Sequence, residues 1–144
     1  MKSFRVTSII VLVKGILMIL LGFIHIAASY FALQDAQRQM SEIMAAKYTL
    51  WFGLLGLFFI FTGTIDILSY TGLRGGVRQV WRTAFCSAIF TTLCGATGTA
   101  VLLRVEGPPI FPILVLFLGA IVLAVLQRRQ DDFMDRNLEP NARW

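Results

Sequence analysis

Lys14, His25 and Asp66 carry acid–base or ligating chemistry in stretches that are otherwise almost wholly apolar, and His25 is the single histidine of the chain. A lone imidazole in such a run suits one of four roles. It can be a neutral, hydrogen-bonded packing residue, with Ser29 one helical turn on as its nearest partner. It can be a metal ligand, with Cys94 the one soft companion. It can be one axial ligand of a haem shared with a second chain. It can also be the polar group of an apolar pocket that takes a quinone or a lipid, lined by some of the twelve phenylalanines and Trp51. The pocket asks least of the sequence, because it needs one polar group only. Packing remains the plainer reading.

Lys14 and Asp66 invite a different comparison. An unpaired charge in hydrocarbon costs at least about 2.5–3.5 kcal/mol, so charges inside apolar helices pair with one another or face water. With the two runs antiparallel and a rise of about 1.5 Å per residue, Asp66 falls at the level of Lys14 and not at that of His25. The expected pair is therefore Lys14 with Asp66. Its functional counterpart is an Asp66 that exchanges a proton or holds a cation, helped by Thr62, Ser69 and Tyr70. The same count puts Gly56 and Gly95 level with His25. The candidate ligand-binding set is then His25, Ser29, Gly56, Cys94 and Gly95, the two glycines leaving room beside the ring.

Other chemistry is sparse. Cys86 and Cys94 are eight residues apart on one expected helix, about 12 Å by helical rise, beyond the ~7 Å reach of a disulfide. No catalytic triad, phosphate-binding loop, paired-carboxylate site or His-x-x-x-His spacing occurs. No catalytic residue and no resident metal or cofactor is expected; a bound quinone or lipid fits the residues present.

These residues must be positioned by helices of a particular kind. The chain has 144 residues, 57% of them hydrophobic and 15% charged, with mean hydropathy +0.74. That is the composition of a membrane protein. Four apolar runs are long enough for transmembrane helices, at 6–33, 48–73, 80–103 and 110–126. The fold expected is an all-α, up-down-up-down transmembrane bundle in a single domain, with a cytoplasmic tail at 127–144. The first run reads as a helix rather than a secretory signal. It far exceeds the usual ~7–15 residue apolar core, and Lys14 interrupts it.

Charge orients the bundle. Lys2, Arg5 and Lys14 precede or open the first run. Arg74, Arg78 and Arg82 lie in the second connection, and Arg128, Arg129, Arg136 and Arg143 follow the fourth run. Arg38, Lys47 and Arg104 are left for the other side, beside Asp35, Glu42 and Glu106. The positive-inside bias therefore places both termini in the cytoplasm, in a bacterial inner membrane. The net charge of +5 points to anionic lipid head groups at Arg74, Arg78 and Arg82 and not to nucleic acid.

Punctuation agrees. Gly72 is expected to end the second helix, with Gly75 and Gly76 in the turn, and "GPPIFP" at 107–112 to form a stiff outer turn. The polar stretch 34–47 reads as an external loop, with Ser41 a cap for the second helix. Ala84, Ala88, Thr91, Gly95 and Gly98 form a small-residue stripe on the third run, suited to close helix approach. A weak repeat relates Gly22–His25 to Gly63–Asp66. The function expected is a non-enzymatic accessory or scaffold subunit that packs against itself or a larger membrane complex. A small transporter or lipid- or quinone-binding protein using His25 and Asp66 is the alternative.

Overall fold

The computed structural model describes residues 2–39, 41–102 and 110–130, and they are all-helical apart from short turns. Helix α1 spans Lys2–Gln39, α2 Glu42–Gly75, α3 Arg78–Leu102 and α4 Ile110–Arg128. Two of the helices, α1 and α2, are long and apolar enough to cross a membrane. Of the outer turn expected at 107–112, residues 107–109 lie outside the described residues, whereas Ile110 to Pro112 already form the first turn of α4, where a proline costs no intrahelical bond. The tail from 131 on lies outside the described residues too.

The first two helices exceed the apolar runs that found them. The stretch 34–47, expected as a loop, is helical at 34–39 and again at 42–47. It contains no glycine or proline, and its Ala, Gln, Met, Glu, Lys and Arg are good helix formers, so helix extends into it from both sides. Ser41 occupies the N-cap position, its carbonyl accepting the first helical bond from the Ala45 amide at 3.0 Å.

The chain forms two compact units, Met1–Lys14 with Ile65–Trp144, and Gly15–Thr64. In the first, Phe4, Val11, Leu73, Trp81, Ala84, Ala88, Val122 and Leu126 make a buried cluster. The small residues of α3 let α4 approach closely. A Cβ at Gly95 would strike the backbone of Leu116, and one at Gly119 would lie 2.6 Å from the Thr92 amide nitrogen. Trp81 adds a polar tie across the same pair of helices, its indole Nε1 donating to the Leu126 carbonyl at 3.2 Å. That carbonyl, in the last turn of α4, also accepts from the Arg129 amide at 3.2 Å.

The α2–α3 turn ends at a different glycine from the one expected. Gly72 stays helical; in place of its side chain stands Val80, 2.5 Å from where its Cβ would be. Gly76 takes the left-handed conformation, with φ 75°. Its amide donates to the Leu73 carbonyl at 3.1 Å, and the Val77 amide to the Gly72 carbonyl at 2.9 Å. That pair of bonds is a Schellman cap, which needs positive φ at the residue after the helix and so favours glycine there.

The second unit is an α-helical hairpin. Its helices meet at glycines on both sides: a Cβ at Gly22 would lie 2.6 Å from the Gly56 carbonyl oxygen, and one at Gly63 would meet the Gly15 carbonyl oxygen. From Phe4 to Ser29 the buried positions of α1 follow a seven-residue repeat. Ser8, Gly15, Gly22 and Ser29 form one file, Phe4, Val11 and Met18 a second, and Thr7, Lys14 and Leu21 a third. A period of 3.5 residues keeps one seam facing its neighbour in a left-handed crossing.

Candidate functional site

The sharpest cluster of functional groups in the described residues joins three helices within the first unit. Lys14 of α1 lies 2.7 Å through its Nζ from Oδ2 of Asp66 on α2, with the two side chains 1% and 0% exposed. The same Nζ donates to the hydroxyl Oγ of Ser87 on α3 at 3.2 Å. Each member arrives by the helix register described above. Lys14 sits in the third buried file of α1, three residues past Val11, and Ser87 precedes Ala88 on the packed face of α3.

The first unit buries other hydroxyl groups as well. Thr7, Ser8, Ser69 and Thr91 are all buried in the same unit. Ser69 and Thr91 donate to carbonyls four residues back on their own helices, both at 2.8 Å, and Ser8 to that of Arg5 at 2.9 Å. Hydroxyl groups used this way need no partner from another helix and leave their oxygens able to accept. The arrangement holds one enclosed ion pair, with the Ser87 hydroxyl as a second acceptor for the lysine. Sequence reading had not singled out Ser87. Its signal was its position at the mouth of the small-residue stripe, level with a lysine that needs more than one acceptor.

His25 stands in the second unit and is packed against rings. Phe52 stacks on it with centroids 4.9 Å apart and planes 10° from parallel, and Phe59 meets it edge-on at 5.8 Å. Ser29, the expected partner, donates its hydroxyl to the Ile26 carbonyl at 2.6 Å. Gly56 does not leave room beside the imidazole. A Cβ there would lie 2.6 Å from Ile26 Cγ1 and 2.9 Å from the Gly22 carbonyl oxygen, so its bareness is taken up by helix contact. Gly95 is likewise filled, against the Leu116 backbone. Counting residues from the apolar ends brought Gly56 near the depth of His25 but not beside it, since Gly56 faces Gly22, one turn away.

The remaining candidates divide by unit. His25, Ser29 and Gly56 belong to the second, Cys94 and Gly95 to the first. Cys86 is exposed and Cys94 partly so, and both are free thiols. No group of three or more His, Cys, Asp or Glu side chains placed to hold a metal occurs among the described residues. Arg74, Arg78 and Arg82 flank the Schellman turn, Arg74 in the last turn of α2 and the other two in the first turns of α3. Basic residues at a helix start are disfavoured by its dipole unless an anion accompanies them.

Comparison with known protein families, curated proteins and solved structures finds no match for the chain.

Proposed function

We propose that the protein is an integral membrane protein, a four-helix bundle with both termini in the cytoplasm, that serves as a non-enzymatic accessory or scaffold subunit. One observation carries the reading: the polarity of the chain is inverted. Outward-facing side chains include Phe23, Phe117 and Leu68, exposed by 60%, 61% and 73%, whereas Lys14 and Asp66 are enclosed. In water that distribution would leave large apolar areas uncovered. In a bilayer it is the expected one, because lipid solvates the outer face and polar groups must find partners within.

The basic residues of the first unit support the orientation. Arg5, Arg74, Arg78 and Arg82 lie close to helix ends that an up-and-down bundle gathers on one side, where anionic head groups of the cytoplasmic leaflet would neutralise them. The bilayer in question is the bacterial inner membrane on this reading. A role in packing against a second copy or a larger complex suits a chain whose buried polar groups are satisfied within it, the Lys14–Asp66 pair between helices and hydroxyls such as Ser69 and Thr91 on carbonyls of their own helices. The alternative, transport or quinone binding through His25 and Asp66, draws its support from the buried pair alone, and both faces of that proposal compete with contacts already made.

The test is topological. A reporter active only in the cytoplasm is expected to work at either terminus, and one active only outside is expected to work when inserted near Gln37. Release of the protein from membranes by alkaline carbonate, or an externally active reporter at the C-terminus, would overturn the reading.

A further inference from the structure

We infer that the Lys14–Asp66 pair sets the register of the α1–α2 hairpin, which neither its glycine files nor its turn determines. The glycine files are degenerate. In the observed register Gly22 meets Gly56 and Gly15 meets Gly63, so facing residues have numbers that add to a constant. Sliding α2 by one heptad would set Ser8 against Gly63, Gly15 against Gly56 and Gly22 against Thr49. Every one of those pairs is again small against small, because Ser8, Gly15, Gly22 and Ser29 repeat at seven, as do Thr49, Gly56 and Gly63. Close approach of the two backbones is therefore possible in both registers.

The turn does not decide between them either. Helix α1 ends at Gln39 and α2 begins at Glu42, yet no glycine or proline lies between Gln34 and Tyr48. A slip of one heptad moves the turn by only about half a heptad, toward Gln37, through residues equally able to be helix or turn.

The charges are not degenerate. In the slipped register Lys14 would face Phe59, a buried ring, and Asp66 would lose its cation. Each would then be an uncompensated charge in an apolar interior, the arrangement that costs most. Ser87 reinforces the choice from α3 by supplying a second acceptor to Lys14 at 3.2 Å. A buried polar contact that picks one alignment among several near-equivalent hydrophobic ones is the best-attested use of such groups.

The experiment measures register directly. With Cys86 and Cys94 replaced by serine, spin labels are attached at Ile24→Cys and Leu54→Cys, both outward-facing and level with each other in the observed register. One narrow distance distribution is expected in the otherwise native protein. In the neutral variant, Lys14→Met with Asp66→Val, a second population is expected, offset along the helices by about 10 Å, the rise of seven residues. A single unchanged distance in the neutral variant would overturn the inference. A second variant guards against loss of folding by keeping the lysine paired: Asp66→Val with Phe59→Asp moves the acid by one heptad. The distance is expected to shift as a single population, following the charge, and a distribution left at the native distance would overturn the inference as surely.

Discussion

At the scale of single residues, the structure makes a lysine and an aspartate depend on each other completely. With both side chains enclosed, removing one charge leaves the other without solvent or counter-ion. Asp66→Asn is expected to lower stability in mild detergent by about 3 kcal/mol or more, and Lys14→Met added to it to recover most of that loss. Losses that simply add in the double-mutant cycle would show that the two do not interact. This pairing was legible in the sequence because it followed from two quantities a sequence does contain, helix rise and the length of each apolar run. The environment of His25 was not. Its stacking partner Phe52 and edge partner Phe59 are two of twelve phenylalanines, and nothing in residue type distinguishes a ring that faces an imidazole from one that faces outward.

At the scale of elements, the four helices were visible as apolar runs, but their ends were not. Hydropathy marks where a helix stops being apolar, whereas a helix stops being a helix only where its backbone finds a breaker or a cap. That is why α1 and α2 continue into the polar stretch 34–47, and why Gly76, whose amide closes the Schellman bond, ends α2 in place of Gly72. The contact glycines were half-visible. The stripe on α3 could be read, and so could the repeat joining Gly22 to Gly63, but its meaning lies in the seven-residue spacing within α1 and α2. A direct comparison tests that meaning. Gly22→Ala would push a methyl against the Gly56 carbonyl and Ile60, whereas Gly53→Ala would meet nothing within 4 Å. Thermal denaturation is expected to show a loss of about 1–3 kcal/mol for Gly22→Ala, from overpacking. Gly53→Ala is expected to be neutral or to gain up to about 1 kcal/mol from helix propensity. Equal effects at the two positions would mean that the hairpin does not close on its glycines.

At the scale of the whole molecule, the decisive property is which groups are hidden. Composition alone pointed to a bilayer, and the helices add a sense of direction: hydroxyls and one ion pair inward, large aliphatic and aromatic groups outward. The same inversion explains why a chain with so few polar groups can still specify a structure, since Ser8, Ser29, Thr62, Ser69 and Thr91 donate to carbonyls of their own helices and the two charges have each other, with Ser87 beside them. The measurement that tests this most directly is the collision accessibility of a spin label at Leu20, an outward-facing residue of α1, with the protein reconstituted in lipid vesicles. Oxygen, which concentrates in hydrocarbon, is expected to broaden the label's spectrum strongly, and a water-soluble nickel complex to leave it unchanged. Broadening by the nickel complex instead would place that face in water and contradict the membrane-embedded bundle.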